Sequence, residues 1–294
     1  MNLRKSCLPP GWYPRDPGRI RAFLKGAAPP PRPCCAAVAP HAGWYYSGAL
    51  AALAAEALAA GVDAACGGRA ERSGWAGTAV VIGGHLPAGA DPLFAMEDAA
   101  DTPLGPMEID GGLRDALCRE LEGREDRRGD NTVEVLIPMV KYFFPAAQLL
   151  WMRLPAEACS FEAGQILARI AASLERPLVV LGSTDLTHYG VNYGFTPRGN
   201  GPAALDWVKN VNDRRFIEAV EQGDPGQALE RAEGEKSACS AGAVLAVMGY
   251  ASQVRESAGA AGKCIAHGTS ADTAPAEGGN PPDSFVGYGA FSWE

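Results

Sequence analysis

The segment "VAPHAGWYYSGALAALAAEAL", residues 38–58, joins the end of a short apolar run to an alanine-rich stretch. The apolar run at 36–39 predicts a buried strand, and the alanine-rich stretch predicts a helix at about 47–60. His41 stands between the two, next to proline and close to glycine. A buried strand that leads directly into a helix is typical of folds in which helices cover a parallel sheet.

The same alternation of strand-like and helix-like segments continues along the chain. Further strands are predicted in "GTAVVIGGH", "AAQLLWMRL", "PLVVLGSTD" and "DSFVGYGAFSWE". Further helices are predicted at 110–123, 160–175 with Ser160 as N-cap, 203–234, and 239–250. No internal repeat and no linker stretch separates these segments. We therefore predict one α/β domain over residues 1–294, with a mainly parallel or mixed central sheet and helices on both faces.

Composition and charge limit the class of protein. The net charge of −8 and the pI near 5.2 argue against nucleic acid or an anionic membrane surface as the main partner. The most apolar segment, at 48–67, is interrupted by Glu56 and Asp63, which argues against a membrane span. The eight cysteines form no C-x-x-C pair, and no signal-peptide pattern precedes them. These features predict a cytoplasmic protein with free thiols.

Three of the four histidines follow predicted strands. His41, His85 and His188 each come at the carboxyl end of an apolar run, beside glycine or proline. Any one of them alone would more often be a core histidine whose ring nitrogens bond to the backbone. Because the carboxyl ends of parallel strands meet at one edge of a sheet, the three together predict a ligand or catalytic site there. His267 lies inside a strand-like run, so we assign it a structural role.

Two further residues are candidates for chemistry. Asp185 precedes His188 by three residues, and a carboxylate beside an imidazole can fix its tautomer and raise its basicity. The alternative for "STDLTH" is a capped turn without catalytic meaning. Cys239 opens a predicted helix, where the helix dipole favours a thiolate that can bind a metal or undergo redox chemistry. The alternative for this cysteine is simple packing.

Seven segments occur in the order found in one known family. They are "APHAGWYYSG", "VVIGGHLPAG", "DTPLGPMEID", "VEVLIPMVKYFFP", "VVLGSTDLTHYG", "SACSAGAVLAVM" and "SFVGYGAFSW". The chain resembles the Memo-like family, which includes the AmmeMemoRadiSam system protein B encoded beside radical-SAM enzymes. The resemblance runs from "GWYPRD" near residue 11 to the C-terminus. It implies a radical-SAM protein as a possible partner.

The resemblance also implies a fold shared with the class III extradiol ring-cleaving dioxygenases, the LigB-like group. In those enzymes two histidines and a glutamate hold non-haem Fe(II). By motif position, His41 and His85 match the two histidines. Cys239 matches the position at which Memo-like proteins have a cysteine and the dioxygenases have their glutamate.

Other positions match the rest of the family's site. His188 with Asp185 matches the acid–base histidine and its neighbouring aspartate, while Trp12 and Tyr46 match aromatic residues of the pocket. The chain departs from the family at residues 130–132, where Asp-Asn-Thr replaces Glu-His-Ser. The family's "GPSH" is shortened to Gly-Gly-His at 83–85. The change at residues 130–132 removes an imidazole near the rim of the site.

Three functions are compatible with these residues. The favoured one is a metal-dependent oxidoreductase that uses Fe(II) and acts on a small molecule such as an aromatic diol, with Trp12, Trp44 and Tyr46 stacking on its ring. A sulfur ligand favours softer ions, so Cu or Zn is the alternative metal. The second function is a metal-binding or redox protein without turnover. The third is a peptide-binding module that uses the same pocket.

Overall fold

The computed structural model describes residues 2–26, 32–255, 259–275 and 281–294. Its strands are β1 (Leu3–Arg4), β2 (Ala36–Ala39), β3 (Thr78–Leu86), β4 (Leu93–Phe94), β5 (Ala99–Ala100), β6 (Met107–Glu108), β7 (Arg124–Glu125), β8 (Gln148–Pro155), β9 (Leu178–Ser183), β10 (His188–Gly190), β11 (Lys263–Thr269) and β12 (Ser284–Trp293). Its helices are α1 (Pro17–Lys25), α2 (Trp44–Cys66), α3 (Arg69–Arg72), α4 (Gly111–Glu120), α5 (Asn131–Glu134), α6 (Ile137–Phe143), α7 (Cys159–Ser173), α8 (Pro202–Trp207), α9 (Asp213–Gln222), α10 (Pro225–Gly234), α11 (Ala241–Val254) and α12 (Ser270–Thr273). A 3₁₀ turn covers Val191–Tyr193, and a π-helical turn covers Val208–Asn212.

The main sheet is mixed. Its strands follow the order β10-β12-β2-β9-β3-β8-β4-β7, and β11 also pairs with β12. The four inner strands β2, β9, β3 and β8 run parallel, whereas β12 and β4 flank them in the antiparallel direction. Strands β1, β5 and β6 form a small separate sheet. The predicted α/β class with a mainly parallel or mixed sheet is confirmed.

Helices cover both faces of the sheet. Alternate residues of each inner strand point to opposite sides, so each strand packs apolar side chains against both layers of helices. In β3, Ala79 and Val81 pack in the hydrophobic cluster that contains α2 and α6. Val80 and Ile82 pack in the opposite cluster with α4, α7, α9, α10 and α11. Strands buried on both faces read as continuous apolar runs, which is the pattern seen in the sequence.

Helices α7 and α11 approach each other closely through glycine. A Cβ atom on Gly164 would lie 1.9 Å from the carbonyl oxygen of Ala246, and one on Gly249 would lie 1.9 Å from that of Phe161. Glycine at these positions therefore permits backbone-to-backbone contact. The contact packs α11 against α7, and the segment before α11 carries part of the site described below.

Some predicted boundaries were wrong. Ser160 is not the N-cap of α7: the helix already begins at Cys159, and the Ser160 hydroxyl donates to the Pro155 carbonyl instead. Cys239 does not open α11, because Ser240 is the N-cap and the helix begins at Ala241. Helix α2 is longer than predicted, since it begins at Trp44 and ends at Cys66.

Among the described residues, α2 is the one helix long and apolar enough to cross a membrane by length and composition. Its best window has a mean hydropathy of 1.6, and 44% of that window is buried inside the protein. The helix packs against β2, β9 and β12. A core helix passes the same test of length and composition, so α2 is weak evidence for a membrane span. The predicted cytoplasmic location stays a prediction.

Candidate metal centre

The candidate site lies at the carboxyl edge of the parallel strands. His41 comes two residues after β2, His85 is the penultimate residue of β3, and Asp185 comes two residues after β9. These three strands are neighbours in the order β2-β9-β3, so their ends lie side by side. Cys239 reaches the same place from the segment before α11, where its backbone N–H donates to the Asp185 carbonyl at 3.1 Å.

Three possible metal ligands converge there. One nitrogen from each of His41 and His85 and the Sγ of Cys239 all lie within 4.8 Å of one another. The His41 Nε2 to Cys239 Sγ distance is 3.2 Å, and the two imidazole rings meet edge to face at 4.9 Å. Metal bonds of about 2.0 Å to nitrogen and 2.3 Å to sulfur place such atoms roughly 3.5 Å apart on one ion. This donor set therefore fits a divalent transition metal.

His41 is fully buried and held on three sides. Its Nδ1 lies 2.8 Å from the Ser183 hydroxyl, which leaves Nε2 turned towards Cys239. Its backbone N–H donates to Asp185 Oδ1 at 2.7 Å, and its backbone carbonyl accepts from the Asn131 amide at 3.1 Å. Burial opposes a charged ring, but Asp185 and Cys239 outweigh it and raise the pKa of His41.

His85 is held by a carboxylate instead. Its Nδ1 lies 3.4 Å from Asp130 Oδ2, and its backbone adopts a φ of 57°, a conformation that non-glycine residues rarely adopt. Gly84 has no side chain to separate the strand from the helix start: a Cβ there would lie 2.4 Å from that of Ser240. Burial opposes the charged ring, yet Asp130 and Cys239 raise the pKa of His85 to about 10.

Cys239 is half-buried and placed to be a thiolate. Burial opposes the charged form, but the field and hydrogen bond of His41 and a hydrogen bond from His85 hold the pKa of this thiol well below its usual 9.0. The Thr184 hydroxyl accepts from the backbone N–H of Ser240 at 3.1 Å, which ties the loop after β9 to the helix start. A thiolate is the form of cysteine that binds metal ions.

Asp185 links the possible ligands to the candidate acid–base histidine. Its Oδ2 lies 3.8 Å from the Nε2 of His41 and also 3.8 Å from the Nε2 of His188. Burial opposes its ionisation, but His41 and His188 hold the pKa of Asp185 below its ordinary value. The ring of His188 stacks on Tyr193 at 4.9 Å with an interplanar angle of 21°. Tyr193 therefore orients the imidazole of His188 through its ring face, and Asp185 orients it through Nε2.

A pocket of about 600 Å³ opens above these residues. His41, His85, Asp185 and His188 all line it. The other lining residues are Pro10, Gly11, Trp12, Ala42, Gly43, Tyr45, Tyr46, Asn131, Asn192, Tyr193, Ser270, Ala274, Pro282, Ser284, Phe285, Val286 and Tyr288. The structure thus places His41, His85, Asp185, His188, Trp12 and Tyr46 in the pocket wall, and it places Cys239 beside His41.

The two predicted pocket aromatics lie in this wall, but Trp44 does not. Trp44 is buried against Phe23, and its indole N–H donates to the Val135 carbonyl at 2.9 Å. The expectation that Trp44 stacks on a substrate is therefore wrong. Trp12 is held in place because the Trp44 backbone N–H donates to its carbonyl at 2.7 Å.

The buried carboxylate of Glu134 anchors the N-terminal segment that carries Trp12. It accepts from the backbone N–H groups of Cys7 and Leu8 and from the Tyr13 hydroxyl. Sequence reasoning did not identify Glu134, because a contact over more than 120 residues leaves no local pattern.

Asp130 also has a role that the sequence did not reveal. Besides His85, its carboxylate contacts the Arg153 guanidinium at 3.2 Å and accepts from the Thr132 backbone N–H at 2.9 Å. The neighbouring Asn131 takes the place where the family commonly has histidine, and its amide binds the backbone of His41. The lost imidazole at the rim is thus replaced by an amide that supports a candidate ligand from behind.

Comparison with known proteins shows the family of this chain. A family model described as Memo-like protein matches residues 4–292. The chain belongs to the Memo family. A MEMO1 family protein of Methanopyrus kandleri is 29% identical over 199 residues, which cover 60% of this chain and 66% of that protein. One of Methanothermobacter thermautotrophicus is 27% identical over 240 residues, 74% and 76% of the two chains. One of Pyrobaculum arsenaticum is 31% identical over 161 residues, about half of each chain.

For this Memo family member we expect metal affinity to rise with pH. His85 has a pKa near 10, so below that pH a metal must displace its proton, whereas the thiol of Cys239 is already ionised. In the metal-free protein, rising pH has the opposite effect: it lowers the stability of the fold. The raised pKa of His85 stabilises the fold below the ordinary histidine pKa of 6.5, and this stabilisation is lost as the pH rises through about 10.

Calorimetric titration of the metal-free protein with Zn²⁺ at several pH values tests this expectation. Measuring in two buffers with different ionisation enthalpies counts the protons that are released. We expect net proton release and an affinity that increases across neutral and mildly alkaline pH. An affinity independent of pH would contradict the assignment.

A separate prediction concerns the carboxylate behind His85. Replacing Asp130 by asparagine is expected to lower the affinity for Zn²⁺ by about 10- to 100-fold, because the ring loses the anionic partner that orients it and raises its basicity. Asp91→Asn is the matched control, since Asp91 is exposed and pairs with Arg124 on the surface. Equal affinities of the two variants would show that Asp130 does not orient the ring.

Proposed function

We propose that this protein is a metal-dependent oxidoreductase that uses non-haem Fe(II) and acts on a small aromatic diol. One observation supports this proposal above all others. Two imidazoles and a thiolate converge at the edge of the same pocket that presents an imidazole–carboxylate pair, His188 and Asp185. Three protein ligands on one side of an ion leave positions open for substrate, and a base within reach can take a substrate proton.

Each group has a distinct task in the proposed reaction. His41, His85 and Cys239 would hold the metal, which when bound supplies redox chemistry towards dioxygen and polarises the oxygen atoms of the substrate. His188 takes the proton of a diol hydroxyl at its ring nitrogen and later returns it. The buried carboxylate of Asp185 stabilises the imidazolium that forms in between.

The aromatic wall orients the substrate. Trp12 and Tyr46 line the pocket, as does the Tyr193 ring that stacks on His188. Aromatic rings pair in offset-stacked or edge-to-face arrangements and contribute about 0.5–1.5 kcal/mol per pair beyond the burial of their area. A planar substrate is thereby aligned with its hydroxyl groups towards His188 and the metal ligands.

Reconstitution tests the proposal directly. The protein is prepared without oxygen, loaded with Fe(II), and assayed for oxygen uptake with catechols, while bound metal is measured in parallel. His188→Gln is expected to retain the metal and to lose at least about 100-fold in oxygen uptake, the typical contribution of a positioned acid–base group. Stoichiometric Fe(II) with no oxygen uptake on any diol would contradict the oxidoreductase proposal.

The identity of the sulfur ligand favours a second candidate function, a metal-binding or redox protein without turnover. Thiolate ligands suit Cu and Zn better than a hard carboxylate does. Tight binding of Cu or Zn at one ion per chain, without oxygen uptake, would favour this function. Unchanged metal affinity in Cys239→Ala would contradict it.

The pocket gives little support to recognition of phosphorylated peptides. Within the parts of the chain that the structure describes, no lysine or arginine lines it, whereas phosphate recognition relies on basic side chains. Should a phosphotyrosine peptide bind equally well to wild type and to His41→Ala, this pocket would not be its site. A radical-SAM protein partner remains a proposal that follows from the family resemblance.

A further inference from the structure

The aromatic content of the pocket defines the shape of its ligand. Among the lining residues that the structure describes, six are Trp, Tyr or Phe: Trp12, Tyr45, Tyr46, Tyr193, Phe285 and Tyr288. Tyr45 and Tyr46 contact each other edge to face at 5.0 Å, and both are well exposed at 67% and 45%. The volume of about 600 Å³ lies within the range of small-molecule sites. Flat walls of this kind suit a planar ring.

The polar groups in the wall are mostly uncharged. Asn131, Asn192, Ser270 and Ser284 line the pocket together with the hydroxyl-bearing Tyr288. Burial raises the pKa of the Tyr288 phenol far above its usual value, so this hydroxyl stays neutral. Amide and hydroxyl groups donate and accept hydrogen bonds, and thus match neutral substituents such as hydroxyls and amides.

No positive side chain is available in the wall to pair with an anionic substituent, apart from the histidines already assigned, as far as the described residues show. Arg153 lies close by but is buried and occupied. Its Nε donates to the Gly84 carbonyl, and its terminal nitrogens contact Asp126 and Asp130. Among the lining residues that the structure describes, Asp185 has the one carboxylate.

We propose that the pocket selects uncharged planar aromatic compounds with hydroxyl groups and discriminates against the same rings when they have a carboxylate or phosphate. An anionic substituent that points away from the metal ligands would lose its hydration in the pocket without gaining a lysine or arginine partner among the described lining residues, which is a large cost. The proposal rests on the proposed function for the hydroxyl groups, but the charge selection is independent of turnover.

A pair of nearly isosteric ligands measures this selection. 3,4-Dihydroxybenzamide and 3,4-dihydroxybenzoate share ring and hydroxyls and differ in the charge of one substituent. Their binding is measured by calorimetry without oxygen, both to metal-free protein and to protein loaded with redox-inert Zn²⁺. We expect the amide to bind at least about tenfold more tightly than the benzoate in both forms. Equal or tighter binding of the benzoate, or binding of neither compound, would overturn the proposal.

A variant with a positive charge in the pocket wall, compared with one that has the same charge outside the pocket, tests the selection further. Asn192→Arg adds a cation at an exposed lining position and is expected to raise the affinity for the benzoate relative to the amide at least about tenfold. Asn210→Arg adds the same charge at an exposed position of the π-helical turn outside the pocket, and should change neither affinity. An equal effect of both variants would contradict selection within the pocket.

The outcomes separate this inference from the proposed function. If the amide is preferred but no diol causes oxygen uptake, the charge selection stands and the oxidoreductase proposal fails. If oxygen uptake occurs and the benzoate is the better ligand, the oxidoreductase proposal stands and the charge selection fails.

Discussion

Replacing Cys239 by alanine is expected to lower the affinity for a divalent transition metal by at least about 100-fold. The change removes one of three donor atoms that lie within 4.8 Å of one another, and it removes the anionic one. Changes in residues that only support a ligand already cost about 10- to 100-fold, so the loss of the ligand itself should cost at least the upper value. Competition with a chromophoric chelator measures the affinity.

Cys66→Ala is the matched control for this prediction. Cys66 is an exposed free thiol at the end of α2, away from the donor cluster, so its loss should leave the affinity unchanged. Circular dichroism of both variants shows whether the fold is retained. If Cys239→Ala binds metal as tightly as Cys66→Ala does, sulfur is not a ligand and the proposed centre is wrong.

Replacing Arg153 by leucine is expected to destabilise the fold by roughly 3–5 kcal/mol, the cost of leaving a buried charge without its partner. Arg153 is 5% exposed and contacts two carboxylates, Asp126 at 3.4 Å and Asp130 at 3.2 Å. Asp126 is itself buried and also contacts Arg4 at 3.5 Å. Among the described residues, His85 is then the one cation left in contact with Asp130, so the loss also affects a residue of the candidate metal centre.

Urea denaturation of the metal-free protein measures this free energy of unfolding. Arg124→Leu is the control, because Arg124 is 69% exposed and its ion pair with Asp91 lies on the surface. Exposed ion pairs contribute about 0–1 kcal/mol, so the control should be close to wild type. Equal stabilities of the two variants would show that the buried ion pairs behind His85 do not hold the site.

The sequence predicted those parts of the site that depend on local pattern. Apolar runs that end in histidine identified β2 and β3, and the rule that parallel strands end at one edge brought His41, His85 and His188 to one place. Cys239 was a candidate because it stood at the start of a predicted helix, and the resemblance to the Memo family matched it to a metal-ligand position. The helix start could not be read accurately, because the segment before it is held by residues far away in the sequence: the backbone N–H of Ser240 donates to the Thr184 hydroxyl.

The contacts behind the candidate site could not be predicted from the sequence, because they too join residues far apart in the chain. Asp130 appeared only as a departure from the family motif, yet in the fold it contacts His85 and Arg153. Residue type alone could not show that Trp12 lines the pocket and that Trp44 is buried. The fold turns Trp44 into the core and leaves Trp12 at the pocket, because its segment is anchored by Glu134.

The proposed function requires one metal ion bound by two imidazoles and one thiolate, contributed by His41, His85 and Cys239. X-ray absorption at the edge of the bound metal, on protein loaded with one equivalent of Fe(II) without oxygen, measures the ligand atoms directly. We predict one sulfur neighbour near 2.3 Å, about the length of a metal–thiolate bond, together with the multiple scattering typical of two imidazoles. A spectrum with only oxygen and nitrogen neighbours would contradict the account.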